Sequence, residues 1–212
     1  MTASPRETAW RAQLLGVFAA ELLVVWGLGA LFIPLVASAD LDVVRDLASQ
    51  RTATATVVAH MLSWLGSGFV VYPVALAACL GLYQRGHRAQ AVAVGVSTAG
   101  AVALYSIDKL LVGRHRPPVH HLELVTGYSF PSGHATQSTA LCVALLIALL
   151  SGPRQRQIAA VAAGCLLVAG VAVSRVYLGV HYPSDVVVGV LLGATWAAVA
   201  SSLIPGAARR TL

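Results

Sequence analysis

The sequence predicts an all-α, polytopic membrane protein with six transmembrane helices and a short interfacial helix after the first. Of its 212 residues, 58% are hydrophobic and only 10% are charged, whereas a soluble domain of this size carries about 25% charged residues. The apolar residues also fall into six runs that are separated by polar or basic loops. We therefore expect residues 1–212 to form a single membrane domain.

The six apolar runs lie at approximately residues 13–37, 57–83, 91–112, 134–150, 158–173 and 185–204. The first is interrupted only by Glu21 and is long enough to span a bilayer, which takes about 20 apolar residues. Ala37-Ser38-Ala39 is similar to a signal-peptidase site, so cleavage is the alternative to a first membrane helix. Because a secretory apolar region is only about 7–15 residues long, we favour an uncleaved helix.

Residues 39–55 are polar and separate the first two runs. Leu41, Val44 and Ala48 share one helical face, which predicts a short amphipathic helix at the membrane interface. The pattern Asp40-x-Asp42 is also typical of a metal-ligand pair, but the apolar face favours the interfacial helix.

Small residues modify the later runs. Residues 66–68 (Gly-Ser-Gly) and Pro73 predict close packing or a kink in the second run, and membrane helices tolerate both. Gly189 and Gly193 in the sixth run have the G-x-x-x-G spacing that is common at helix–helix contacts.

The net charge of +6 arises from arginine-rich loops. With six spans, the two termini share a face with two basic loops, and the arginines of this face are Arg6, Arg11, Arg85, Arg88, Arg154, Arg156, Arg209 and Arg210. The positive-inside rule then predicts a multi-pass protein of the cell (plasma) membrane with both termini in the cytoplasm. Charges spread over short interhelical loops argue against nucleic-acid binding, and no feature predicts an oligomeric state.

Three polar stretches open on the opposite, non-cytoplasmic face. They are residues 109–117 (K-L-L-V-G-R-H-R-P), 131–134 (P-S-G-H) and 174–185 (S-R-V-Y-L-G-V-H-Y-P-S-D). Lys109, Arg116 and Arg175 would repel one another in a single pocket, and a multiply charged anion would relieve that repulsion. We therefore predict a phosphate site, with snorkelling of each cation to lipid headgroups as the alternative.

The second and third stretches supply groups for catalysis. Ser132 suits the N-cap of the fourth helix, and Gly133 lets an anion approach the backbone closely. His181 and Asp185 are four residues apart, so the carboxylate can bind one ring nitrogen and leave the other free to attack phosphorus. His134 is then placed to protonate the leaving oxygen as general acid.

No pattern typical of a metal site accompanies these residues, and we predict neither a metal ion nor a cofactor. The three cysteines lie within apolar runs and are interpreted as packing residues: Cys79, Cys142 and Cys165. The remaining histidines are interpreted as structural or headgroup contacts: His60, His87, His115, His120 and His121.

In order and spacing, Lys-x6-Arg-Pro (109–117), Pro-Ser-Gly-His (131–134) and Ser-Arg-x5-His-x3-Asp (174–185) resemble the three-part signature of the type 2 phosphatidic acid phosphatase superfamily. This superfamily includes membrane lipid phosphatases and soluble vanadium haloperoxidases. The resemblance covers residues 109–185, about a third of the chain, and implies a six-helix membrane fold, a metal-independent phosphohistidine mechanism and a non-cytoplasmic active site. The residues it implies for phosphate binding are Lys109, Arg116, Ser132, Gly133 and Arg175. It also implies that His134 is the acid, His181 the nucleophile and Asp185 its partner, and it leaves Ser174 without a firm role.

We therefore expect an integral membrane hydrolase acting on a lipid phosphate or diphosphate. Candidate substrates are an isoprenoid diphosphate such as undecaprenyl diphosphate, or a glycerolipid phosphate such as phosphatidylglycerophosphate or phosphatidate. A phosphorylated prenyl sugar is an alternative substrate. A non-enzymatic lipid-binding or transport protein is the alternative function, but a transporter places its polar groups near the bilayer midplane, whereas these gather at one face.

Overall fold

A computed structural model describes residues 5–149 and 154–207, and within these ranges the chain is helical with connecting loops and no strands. The helices are α1 (Pro5–Ser49), α2 (Ala53–Leu65), α3 (Gly68–Gln84), α4 (Arg88–Val112), α5 (Gly133–Ala148), α6 (Arg154–Tyr177) and α7 (Pro183–Leu203). The predicted all-α class is confirmed. Arg209 and Arg210, which the charge analysis placed on the cytoplasmic face, lie outside the described residues.

The apolar runs form a multi-pass membrane bundle. In the described ranges, five stretches are long and apolar enough to cross a bilayer: Ala9–Ser49, Ala53–Gln84, Arg88–Val112, Arg154–Tyr177 and Pro183–Leu203. The remaining helix, α5, is apolar but has only 16 residues. Large apolar side chains such as Leu35 and Phe69 point outward, 79% and 86% exposed, as lipid contact requires.

The segment after the first run differs from the expected separate interfacial helix. Residues 39–49 continue α1 without a break, and the chain turns only between Ser49 and Ala53. The apolar face of this segment packs against protein, because Val44 is fully buried in a cluster with Val176 of α6 and Val186 of α7. The extension carries the polar side chains of residues 40–49 to the end of the bundle where α7 begins.

The second run is broken, as its glycines predicted. The helix stops after Leu65 and restarts at Gly68. A Cβ on Gly66 would lie 2.5 Å from a methyl carbon of Val171, so this close contact with α6 admits only glycine. The Gly66 carbonyl at the break accepts a hydrogen bond of 2.7 Å from the side-chain amide of Gln137 on α5.

Helices α5 and α7 form the centre of the bundle. A Cβ on Gly193 would lie 2.3 Å from the carbonyl oxygen of Thr136, so the predicted glycine contact lets α7 lie directly on the backbone of α5. The two helices begin side by side, because the backbone N–H of Ser132 donates to the carbonyl of Asp185 at 3.0 Å. Two helix N-termini therefore meet at one end of the bundle, where their free N–H groups favour an anion.

Candidate active site

A cavity of about 240 Å³ opens at this end of the bundle. The predicted site residues that line it are Lys109, Arg116, Gly133, His134, Arg175 and His181. Ser132 and Asp185 are fully buried behind its wall. Residues from three distant stretches of sequence thus meet around one space, as their chemistry predicted.

Backbone carbonyls hold two of the three cations, and all but one of them belong to the loop between α4 and α5. The Lys109 ammonium donates to the carbonyls of Tyr128 and Ser129, at 2.6 and 3.2 Å. The Arg116 guanidinium donates to the carbonyls of Thr126, Gly127 and Val180 at 2.7–3.1 Å. In the described ranges neither cation has a carboxylate partner within 4.0 Å. Carbonyls orient a cation without neutralising it, so the charge remains available to an anion.

The third cation is paired with a carboxylate that the sequence analysis did not select. Arg175 is 2% exposed, and its Nη1 donates to the Glu123 carboxylate and to the Ser63 hydroxyl. Burial alone would raise the pKa of Glu123, but the charge and hydrogen bond of Arg175 outweigh it and hold the pKa below its usual value. His60 Nδ1 lies 3.5 Å from the same carboxylate, so this histidine has a more specific contact than predicted. A bound phosphate has to share Arg175 with Glu123 or displace it.

The predicted histidine–aspartate pair is formed. His181 Nδ1 lies 3.3 Å from Asp185 Oδ2, and the same oxygen accepts from the backbone N–H of Tyr182 at 3.0 Å. His181 precedes α7 and Asp185 lies in its first turn, so the pair spans the helix N-terminus and not a turn inside the helix.

Burial and the neighbouring cations keep the His181 ring neutral. Its pKa is well below the usual value, first because the ring is buried and then because Lys109, Arg175 and Arg116 disfavour a further positive charge. In the neutral ring the N–H belongs on Nδ1, facing the carboxylate, which leaves the lone pair on Nε2. This is the tautomer that a nucleophilic imidazole needs.

Arg114 completes the support of Asp185, and sequence reasoning missed it. One guanidinium nitrogen donates to Asp185 Oδ1 at 2.6 Å and the other to Asp40 Oδ2 at 2.7 Å. The ring of Tyr182 stacks on this guanidinium at 3.9 Å. Asp40 also binds the backbone N–H and the hydroxyl of Ser184. The two buried carboxylates therefore share one arginine. Both oxygens of Asp40 have hydrogen-bond partners, as a buried charge requires.

The sequence contained a weak signal for this group. The Asp40-x-Asp42 pattern was interpreted as part of an interfacial helix, and of the three carboxylates at residues 40–46 only Asp40 is buried. Its partner Arg114 lies two residues before Arg116, between two signature positions.

The serine and glycine before α5 are placed as predicted, with one difference. Ser132 is the N-cap residue, but its side chain makes no capping hydrogen bond. Its Oγ is buried without a partner among the described residues. A Cβ on Gly133 would lie 2.9 Å from the ring of Tyr105, so glycine keeps this side of the cavity open.

Ser174 and the histidines of the loop between α4 and α5 make ordinary structural contacts. Ser174 Oγ donates to the carbonyl of Val171 within α6 at 2.7 Å, which is a helix-internal bond. His121 Nε2 lies 2.9 Å from the carbonyl oxygen of Pro117, and the His115 ring packs edge-on against Tyr128. The carbonyl of His120 accepts from Arg51 at 2.8 Å. The histidine contacts lie in the loop between α4 and α5, and Val125 and Thr126 of this loop line the cavity.

A larger, apolar groove of about 570 Å³ lies beside the cavity. It is lined by one face of α2, including Met61 and Trp64, and by Glu123 and His134. His134 borders both spaces, so a phosphate in the cavity and a hydrocarbon chain in the groove would meet at this residue.

Two known lipid phosphatases are similar to this chain in sequence. Decaprenylphosphoryl-5-phosphoribose phosphatase of Mycobacterium tuberculosis is 36% identical over 154 residues, which cover 71% of this chain and 76% of that protein. Undecaprenyl-diphosphatase of Sulfolobus acidocaldarius is 34% identical over 149 residues, 68% of each chain.

A solved structure shares the fold. The crystal structure of a transmembrane PAP2-type phosphatidylglycerolphosphate phosphatase from Bacillus subtilis superposes with a TM-score of 0.75, covering 90% of this chain and 94% of that one at 22% identity. The family model described as the PAP2 superfamily matches residues 90–209, which contain every predicted site residue. With a match over more than half of its length and a relative that is 36% identical, this chain belongs to the PAP2 superfamily.

Proposed function

We propose that this protein is an integral membrane phosphatase that hydrolyses a lipid phosphate or diphosphate through a phosphohistidine intermediate. One observation carries the proposal. The imidazole of His181, oriented by Asp185, lies in the same cavity as three cations and a second histidine. The apolar groove that borders His134 suits the hydrocarbon part of such a substrate.

The reaction follows from this arrangement. His181 Nε2 forms a bond to phosphorus, and the bond from phosphorus to the leaving oxygen breaks as that oxygen takes a proton from His134. Asp185 stabilises the positive charge that His181 gains, and Lys109, Arg116 and Arg175 stabilise the equatorial phosphate oxygens. His134 then takes a proton from water, whose oxygen attacks phosphorus and breaks the phosphorus–nitrogen bond. Inorganic phosphate leaves, and both histidines return to their starting states.

Substrate binding favours the protonated form of His134, which is the form that acts as the acid. Lys109 and Arg175 line the same cavity as His134, and positive charges near an imidazole disfavour its protonated form. A phosphate dianion offsets these charges, so the protonated acid becomes more favourable when substrate is present.

The names of the relatives indicate which lipid phosphates are candidate substrates. Those named above act on an isoprenoid phosphosugar, an isoprenoid diphosphate and a glycerolipid phosphate. The basic loops and the positive-inside rule support an orientation with both termini in the cytoplasm and the cavity on the outer side of the cell membrane.

Phosphate release by the detergent-purified protein tests the proposal. The panel holds polyprenyl diphosphate, phosphatidylglycerophosphate, phosphatidate and a prenyl phosphosugar, each with and without chelator. We expect release that chelator leaves unchanged and that His181→Ala abolishes, whereas His87→Ala in the α3–α4 loop retains it. Acid-labile labelling of the protein by a radioactive substrate phosphate, lost in His181→Ala, would identify the intermediate. A binding protein without activity would give no release from any lipid.

A further inference from the structure

One wall of the cavity is polar but uncharged and has no part in the reaction above. It consists of Tyr72 from α3, Tyr105 from α4 and Gln137 from α5. Tyr105 lies one helical turn before Lys109, and Gln137 lies about one turn after His134. The wall is therefore on the membrane side of the reaction centre, where the part of the substrate next to its phosphate would lie.

The hydrogen bonds of this wall have a fixed direction. Gln137 Nε2 donates to the Gly66 carbonyl at 2.7 Å, which sets the amide orientation. Gln137 Oε1 then faces the two tyrosines and accepts from Tyr72 at 3.0 Å and from Tyr105 at 3.3 Å. Gln137 is 3% exposed, so its amide is protected from water, whereas Tyr72 is 43% exposed.

The tyrosines therefore face the cavity as acceptors. A phenol has one hydrogen to donate, and both hydrogens are used within this group of three side chains, in bonds to Gln137 Oε1 or between the two hydroxyls. Their oxygen lone pairs are what remains for a ligand. The cavity thus combines a cationic side, which binds phosphate oxygens, with a side that accepts hydrogen bonds.

Close packing keeps the two rings in place. A Cβ on Gly68 would lie 2.7 Å from the ring of Tyr72, and a Cβ on Gly133 would lie 2.9 Å from that of Tyr105. The rings occupy the space that these two glycines leave free, so the hydroxyls are held near each other, with their oxygens 3.4 Å apart.

We propose that Tyr72, Tyr105 and Gln137 form a subsite for a hydroxyl group that the substrate carries beside its phosphate. This inference rests on the proposed phosphatase function and narrows its substrate class to lipid phosphates with a sugar or polyol at the phosphate. Such a hydroxyl donates to the tyrosine oxygens while the cations hold the phosphate. An ionised diphosphate presents only acceptors, so its second phosphate finds no donor on this wall unless the tyrosines release Gln137.

A matched pair of substrates isolates the hydroxyl. Lysophosphatidate has a free hydroxyl on the carbon next to the phosphate ester, and its 2-deoxy analogue differs in that group alone. We expect the wild-type protein to favour lysophosphatidate by about tenfold in kcat/KM, the value of one neutral hydrogen bond. The ratio should fall towards one in Tyr105→Phe and in Tyr72→Phe, which keep the rings. Tyr83→Phe, at an exposed position of α3, should retain the wild-type ratio.

The outcomes separate the two proposals. If the wild-type protein hydrolyses both lipids with equal kcat/KM, or if the tyrosine variants keep the wild-type ratio, the hydroxyl subsite is wrong while the phosphatase function stands. If the wild-type protein hydrolyses polyprenyl diphosphate faster than lysophosphatidate, the expected preference for a hydroxyl-bearing lipid over a diphosphate is also wrong. If it releases phosphate from no lipid, the phosphatase function itself fails and takes the subsite with it.

Discussion

At the scale of single residues, the site depends on charges that are arranged around one neutral ring. His181 is 2% exposed and borders three cations, so its proton is confined to the nitrogen that faces Asp185. Asp185 is itself held by Arg114, which is anchored by Asp40. The reactive nitrogen is thus positioned through a chain of buried ion pairs that reaches α1.

Changing Arg114 should reduce kcat more than it changes KM, because Arg114 does not line the cavity. Arg114→Lys keeps the charge but cannot donate to both carboxylates in the same geometry, and we expect kcat to fall about tenfold or more. Arg114→Gln leaves two buried carboxylates without their cation, a change that costs about 3–5 kcal/mol in stability. Steady-state kinetics and thermal unfolding in detergent measure the two effects.

The matched variant for this prediction is Asp40→Asn. It retains a polar partner for Ser184 and leaves Arg114 on Asp185, so its kcat should fall less than that of Arg114→Lys. Wild-type kcat in Arg114→Lys would show that Arg114 does not position the reactive pair.

The lowered pKa of His181 predicts how its protonation depends on pH. The neutral ring is the reactive form, so it should persist as pH falls through 6.5 and be lost only at lower pH. Because Arg116 contributes to the lowering, Arg116→Gln should raise the pKa of His181. Histidine-labelled protein in detergent allows the ring to be titrated by NMR, with His181→Asn used to assign its signal. An unperturbed titration near pH 6.5 in both proteins would contradict the prediction.

At the scale of helices, small residues decide how closely the site elements approach. Gly189 and Gly193 bring α7 onto the backbone of α5, so that the two N-termini meet below the cavity. Gly66 breaks the second span against α6, and the free carbonyl at the break orients Gln137. The long α1 delivers Asp40 to the same end.

Replacing Gly193 should destabilise the bundle. Its Cβ would lie 2.3 Å from the Thr136 carbonyl oxygen, so Gly193→Ala must separate α7 from α5. We expect a loss of about 1–3 kcal/mol in the free energy of unfolding, the usual range for overpacking. Activity should fall with it, because Ser132 and Asp185 join the two helices.

Gly16→Ala is the control for the glycine variant, since nothing lies within 4 Å of its added methyl group. Alanine favours a helix over glycine by about 1 kcal/mol, so this variant should be neutral or slightly stabilising. Unfolding in mixed detergents compares the two. Equal stability of both variants would mean that α7 does not need the glycine.

At the scale of the whole molecule, the polar chemistry gathers at one end of an apolar bundle. The loop between α4 and α5 covers this end, with Leu124 fully exposed at its surface. The basic loop between α3 and α4 lies at the other end of α4. This asymmetry gives the protein a definite direction in a membrane.

Membrane orientation can be tested with single cysteines in a variant that lacks the three native ones. Leu124→Cys should react with a membrane-impermeant maleimide in intact cells if the covering loop faces outward, as we propose. Gln84→Cys, exposed beside the basic loop, should react only after the membrane is permeabilised. The reverse pattern would place the active site on the cytoplasmic side.

The class of fold, and the residues that meet in the proposed active site, could be predicted from the sequence. Apolar runs long enough to cross a bilayer require helices, since lipid offers no partner to backbone N–H and C=O groups. The spacing of His181 and Asp185 placed that pair correctly because the two residues are joined by a short, locally folded segment.

The tertiary structure alone decided which residues support those groups. The partners of Asp40, Glu123 and Gln137 lie 32 to 144 residues away along the chain, and no local pattern connects them. Whether a carboxylate such as Asp40 faces lipid headgroups or an arginine depends on how the helices pack, as does the uncapped side chain of Ser132. Helix formation depends on neighbouring residues, whereas the wall and the supports of the cavity depend on which helix faces come into contact.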